Sequence, residues 1–202
     1  MARPREFDED KVLDAAVICF WTRGYEATSV RDLATAMGIT CASLYNSFGD
    51  KRSLFRRALD HYISKSFADR ARRVSALPPR QALTAFFDEV IDRSLADPEC
   101  KGCLLVNSAT EVAPHDPELR AAISEVFIRI EEFFRDCVTR GQAEGTIARQ
   151  QTADDLARLL LGAMVGIRTL VRARPERALL EGIIRPVFAL LDAGLADRRG
   201  QE

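Results

Sequence analysis

The chain has 202 residues and a mass of 22.5 kDa, with 29 Lys+Arg against 30 Asp+Glu, 47% hydrophobic and 29% charged residues. That length buries a core without staples, and the composition excludes a disordered chain or a uniformly basic one. No uncharged run approaches the ~20 apolar residues of a membrane span. The apolar residues 15–21 follow acidic ones and precede no small-residue cleavage site, so a cytoplasmic protein with no membrane partner is expected.

Charge is uneven along the chain. Residues 1–73 hold 13 Lys+Arg against 10 Asp+Glu, whereas residues 74–202 hold 16 against 20. This asymmetry points the first third toward an anion. The cysteines (Cys19, Cys41, Cys100, Cys103 and Cys137) are odd in number and come without an export signal, so no disulfide framework is expected.

Apolar residues recur at helical spacing throughout, and no alternating strand pattern is present, which predicts an all-α fold. A first helix is predicted over 8–23, stopped by Gly24. A second starts at Thr28 or Ser29 and ends at Gly38, and a short third runs from a Thr40 cap to Ser47. Asp50 caps a long fourth helix over 51–76. Pro78-Pro79 marks a linker and opens a fifth helix to Ala96. A sixth spans about 102–112, a seventh 116–141, an eighth 152–174, and a ninth starts at Pro175 and should kink at Pro186.

The segment 30–49, VRDLATAMGITCASLYNSFG, carries the function. Leu33, Ala34 and Met37 face inward, Gly38 supplies a tight turn, and Ile39 and Leu44 plug the next helix onto the first. This is the pattern of a helix-turn-helix, whose second helix lies in the major groove of DNA. Thr40, Ala42, Ser43 and Asn46 are candidates for base edges. Thr28 and Ser29 at a helix N-terminus, Tyr45 and Lys51 are candidates for phosphates. Arg3 and Arg5 form a basic arm suited to a minor groove.

The flanks of this unit resemble the TetR (TetR/AcrR) family of bacterial transcription regulators. The matching residues are Phe20-Trp21-Thr22-Arg23-Gly24-Tyr25, then Thr28 through Ala34, Gly38-Ile39, Ser43 through Phe48, Lys51 and Leu54-Phe55. Asn46 departs from the pattern, because the family often has a ring or a longer basic side chain there. The resemblance implies about nine helices. A helix-turn-helix DNA-binding domain would cover 1–50, and a helical effector-binding and dimerisation domain 51–202, with the fourth helix connecting them. It also implies a homodimeric repressor that leaves double-stranded operator DNA when a small molecule or a reactive electrophile or oxidant acts on the second domain.

Within that second domain, Leu160, Met164 and Ile167 of the eighth helix and Leu180, Ile184, Val187 and Phe188 of the ninth are the candidate dimer surface. Gly162 and Gly166 leave room for another backbone. Phe86 and Phe87 are candidate walls of an effector pocket, and Asn107 and Glu111 lie four apart on one helix face, suited to orienting a ligand. Cys103 sits at a helix start beside Lys101, which favours a thiolate, and Cys100 is placed to resolve an oxidised Cys103. The Gly-Cys-Leu segment there resembles a NemR-like branch of the family that senses electrophiles.

Neither a metal nor a cofactor is expected. Cys100, Cys103 and His115 give only three ligands, and no Gly-rich phosphate loop or Ser-His-Asp arrangement is recognisable, so no enzyme is expected. Two other classes compete. One is a helical-bundle redox or ligand-binding protein using Cys100 and Cys103 without a DNA role. The other is a DNA-binding adaptor without a small-molecule sensor.

Overall fold

A computed structural model describes residues 8–193; the arm residues Arg3 and Arg5 lie outside the described residues. Among the described residues all regular structure is helical: α1 (Glu9–Arg23), α2 (Val30–Met37), α3 (Cys41–Phe48), α4 (Lys51–Ile63), a π turn (Ser64–Ala68), α5 (Asp69–Val74), α6 (Pro79–Leu95), α7 (Leu104–Glu111), α8 (Pro117–Ala143), α9 (Ala153–Leu170) and α10 (Arg177–Asp192). The segments α4, π turn and α5 join end to end as one rod, so among the described residues the helical rods are nine in number, as the periodicity predicts. No described helix is long and apolar enough to cross a membrane.

Local chemistry sets the boundaries. Asp8, Thr40, Asp50, Asp116 and Thr152 each accept a backbone N–H from the first turn of the helix they precede. Pro79 and Pro117 occupy first-turn positions where a missing N–H costs nothing. Pro186 lies inside α10, which stays helical through it to Asp192. The π turn has no counterpart in the sequence expectation, which read one uninterrupted helix. It inserts one residue per turn without a marker residue, and such insertions recur at functional sites.

The larger bundle is centred on rings. Phe86 meets Phe87, Phe133, Phe134 and Phe67 at centroid distances of 5.7, 5.4, 5.2 and 6.2 Å, and Phe87 meets Phe188 at 5.8 Å. These contacts tie α6, α8, α10 and the π turn together. Phe86 and Phe87, the expected pocket walls, are fully buried in this cluster, and neither lines the two cavities described below.

The expected dimer surface also needs correction. Leu160, Met164, Ile167, Leu180, Ile184 and Val187 are buried in the chain's own core, and Phe188 is half-buried beneath the Arg80 guanidinium. Large apolar side chains turn inward first because the single chain has that volume to fill. The outward apolar residues of α9 and α10 are instead Leu159, Leu170 and Leu190.

Replacing Phe86 by Ala removes the ring shared by four of these five contacts. We expect a loss of about 3–5 kcal/mol, the range for emptying a buried aromatic site, read as a lowered midpoint in chemical denaturation.

Candidate nucleic-acid interface and adjoining cavity

The first three helices build a helix-turn-helix. Leu33, Ala34, Met37, Leu44 and Phe48 are buried against Phe20 and Phe55 of α1 and α4, the last two in edge-to-face contact at 5.0 Å. Gly38 makes the turn at φ +66°, and its N–H donates to the Ala34 carbonyl. That conformation suits a residue without Cβ. With Leu44 and Phe48 inward, Cys41, Ala42, Tyr45 and Asn46 fall on the opposite, exposed face of α3. Thr40 caps α3 by accepting the Ser43 N–H at 3.1 Å, and its hydroxyl donates to Ser43 Oγ at 2.9 Å. Ser43 can therefore still donate outward. The expected base-edge group, Thr40, Ala42, Ser43 and Asn46, is thus brought together on one short helix.

The expected phosphate group is brought together only in part. Ser29 is the exposed cap of α2, paired reciprocally with Asp32 in a capping box. Thr28 is fully buried, its hydroxyl donates to the Gly24 carbonyl at 2.6 Å and its N–H to Tyr25. Both its hydroxyl and its N–H are used inside the protein, so Thr28, expected at a phosphate, turns no donor outward, whereas Ser29 is exposed. Lys51 opens α4, with its ammonium 4.4 Å above the Tyr25 ring and 3.4 Å from the Glu26 carbonyl. Arg31, which sequence reasoning missed, is exposed in the first turn of α2. A cation there opposes the helix dipole, and that mismatch was a readable signal for an anion.

A seam joins this unit to the remaining helices. The Lys101 carbonyl accepts from the Trp21 indole at 3.2 Å and from the Asn107 amide at 2.9 Å. Glu111 accepts the Glu26 N–H at 3.0 Å, and its carboxylate fills the space beside Gly24, where a Cβ would stand 2.7 Å from Oε1. Arg52 pairs with Asp116 at 2.7 Å and with Glu118 at 3.0 Å. Asn107 and Glu111 do share one face of α7, but they line a cavity of about 200 Å³ as part of this clasp. Lys101 binds Asp97 at 2.7 Å and Glu99 at 2.6 Å.

A second cavity, of about 260 Å³, lies behind the seam. Its walls come from α1 (Asp14, Val17, Trp21), α4 and the π turn (His61, Tyr62, Lys65, Ser66), α5 (Arg70), α6 (Arg93, Ser94), the following loop (Asp97, Gly102) and α9 (Arg168). None of the sequence-nominated pocket residues lines it. Gly102, at φ +73°, lets the loop close on α9, since a Cβ there would meet the Arg168 carbonyl at 2.8 Å. Lys65 binds both oxygens of Asp14 at 2.8 Å, and this ammonium holds the Asp14 carboxyl below its ordinary range.

Cys103 is buried at the start of α7 with the Tyr62 hydroxyl 3.6 Å from Sγ, and Cys100 is half-buried at φ +49°. Burial raises the Tyr62 phenol far above its usual value, so it stays a neutral donor. Among the described residues no cluster could hold a metal ion.

Fold and site together define a helix-turn-helix protein whose reading head is clasped to a helical bundle, with a cavity lined by residues of both. Residues 12–58 match "Bacterial regulatory proteins, tetR family", and residues 79–186 match "Tetracyclin repressor-like, C-terminal domain". The chain is 32% identical over 195 residues to the HTH-type transcriptional regulator YezE of Bacillus subtilis (strain 168), covering 95% of this chain and 100% of that protein. It is 29% identical to the HTH-type transcriptional repressor ComR of Escherichia coli (strain K12), covering 91% of this chain and 87% of ComR. A cysteine mutant of the regulator CifR, solved in complex with 26-bp double-strand operator DNA, superposes with a TM-score of 0.82 at 32% identity, covering 92% of this chain and 98% of CifR. The chain belongs to the TetR family of bacterial regulatory proteins.

The α2 cap carries a pH signature. Hydrogen bonds from Ser29, then Arg23 at 2.8 Å, lower the Asp32 pKa to about 2. A depressed carboxylate stabilises fully above its unfolded value, about 3.9, and that contribution fades as pH falls through about 2. An NMR titration of the Asp32 side-chain carbonyl is expected to show its midpoint near 2.

Proposed function

We propose that the protein is a cytoplasmic homodimeric repressor that releases its operator when a small molecule occupies the cavity behind the seam. The observation that carries this reading is the make-up of the cavity wall. It takes Asp14, Val17 and Trp21 from α1 of the reading head and Arg168 from α9 of the bundle. An occupant therefore touches both parts and can favour one arrangement of them over another. The names of ComR as a repressor and of CifR as bound to operator DNA support the direction of control.

In this reading residues 1–50 bind DNA and 51–202 sense and dimerise. Tyr45, Lys51 and Ser29 position the head on phosphates, and Arg3 and Arg5 reach an adjoining minor groove. Thr40, Ala42, Ser43 and Asn46 read bases. The dimer forms on the outward stripe of α9 and α10. There Leu159, Leu170 and Leu190 are exposed, and a Cβ added at Gly162, Gly166 or Gly182 meets nothing within 4 Å. No catalytic activity is assigned. Release through a Cys103 thiolate is the second route; burial of that thiol and commitment of Lys101 to Asp97 and Glu99 favour the non-covalent one.

Tyr45→Ala and Lys51→Ala should weaken binding to all sequences alike, and Lys51→Ala should lower the salt slope by about 1. Asn46→Ala should cost about 1–3 kcal/mol at particular base pairs only. Binding assays on operator variants selected from random DNA check both, and equal losses everywhere for Asn46→Ala would remove it from the base-reading set.

Gly166→Arg places a long charged side chain on the open stripe while raising helix propensity. Light scattering should then show monomers that lose the operator; an intact dimer would place the interface elsewhere. Cys103→Ser should leave effector release unchanged, and loss of release in that variant would favour the thiol route.

A further inference from the structure

The cavity wall carries more positive charge than the protein neutralises. Arg168 is 8% exposed and makes no ion pair; its guanidinium donates to Ser94 Oγ at 2.9 Å. Arg70 is 3% exposed, and its Nε has no hydrogen-bond partner although Glu89 lies 3.2 Å away. The Glu89 carboxylate is also approached by Arg73 at 2.7 Å and Arg93 at 2.9 Å, so one acid answers three guanidinium groups. The acids that line the cavity are engaged as well: Asp14 by Lys65 and His61, and Asp97 by Lys101.

A buried guanidinium without a counter-charge is costly, and two side by side repel each other. Burial, and after it the repulsion from Arg168, hold the Arg70 pKa down to about 10. Beside His61 and Ser66, the wall has an apolar, aromatic part made of Val17, the Trp21 indole and the Tyr62 ring, the two rings in edge-to-face contact at 5.1 Å.

We infer that the cavity takes a small amphipathic monocarboxylic acid, its carboxylate between Arg168 and Arg70 and its apolar body against Val17, Trp21 and Tyr62. The inference rests on the effector reading above and names the ligand class of that same site. A planar carboxylate matches the two-donor edge of a guanidinium, as an ammonium would not. At about 260 Å³ the cavity lies just below the ordinary range for ligand pockets, so the acid is small.

Trp21 is the single tryptophan of the chain and lines this cavity, so its fluorescence reports occupancy directly. The full-length protein is titrated with hexanoate, octanoate, benzoate and 3-phenylpropionate, each beside its primary amide, and with inorganic phosphate. Release from a selected operator fragment is followed in parallel. At least one acid is expected to bind saturably and at least about tenfold more tightly than its amide, the factor for losing one charge-assisted contact. Arg168→Met should abolish that preference, while Arg168→Lys keeps part of it. Arg168→Met is also expected to fold, because it replaces an unpaired buried charge with an apolar chain.

Amides binding as well as acids, or no acid binding at all, overturns the inference. Phosphate binding as tightly as the acids overturns the apolar half of it. Neutral compounds that release DNA where acids do not would sink the ligand class and keep the effector reading. Acids that bind in wild type but not in Arg168→Met, yet leave DNA bound, would keep the ligand class and sink the effector reading.

Discussion

The structure depends on the last turn of α1 serving two bodies at once. Phe20 packs inward on Phe55 and builds the reading head, while the next residue, Trp21, turns to the bundle and donates to the Lys101 carbonyl. That carbonyl also receives Asn107, so one oxygen ties α1, the loop after α6 and α7 together. Two residues in sequence cannot serve opposite partners unless both partners are held in register. Glu111 beside Gly24 and Arg52 between Asp116 and Glu118 supply that register from the other end of the seam. Any displacement of the bundle is therefore felt at the helix that supports α2 and α3.

The reading head was legible because its determinants are local. Gly24, Gly38 and Gly49 stop helices at positive φ, Ser29, Thr40 and Asp50 start them, and the interval between a cap and a glycine is a helix length. The outward face of α3 followed from the inward pair Leu44 and Phe48 by helical periodicity alone. Thr28 was misjudged because a threonine before a helix reads the same whether it faces solvent or closes back on Gly24. Only the tertiary burial of its hydroxyl distinguishes the two.

The cavity was not legible, for the opposite reason. Asp14, Arg70, Ser94 and Arg168 are far apart in the chain and converge only through packing. The expectation of an apolar pocket looked to Phe86 and Phe87, which are the residues best able to fill space and do so. What marks this site is polar groups where a core should be: a π turn presenting Lys65 and Ser66, and two enclosed guanidinium groups. A sequence pattern scores such residues as exposed, and a buried arginine is visible only once its neighbours are known. The outward stripe of α9 is an intermediate case. Its glycines were noticed as room for a backbone, but the large residues beside them were assigned to the same face although helical spacing turns them to the core.

Magnitudes decide what an occupant of the cavity must do. Moving a two-state equilibrium from almost wholly bound to almost wholly free needs a differential affinity of about 10⁴, or about 5.5 kcal/mol. One hydrogen bond to a charged group contributes about 1.5–3 kcal/mol, too little alone. A ligand that meets Arg168 and Arg70 together, and buries an apolar body against Trp21, gathers enough only if most of those contacts exist in one arrangement of the seam and not the other. The wall provides for this, since Trp21 belongs to the reading head and Arg168 to the bundle. In the proposed dimer two such cavities act on one DNA-bound form, which halves the requirement on each. A pocket enclosed wholly within the bundle would have to transmit the same energy through packing before it reached α1, whereas an occupant of this cavity would touch α1 itself.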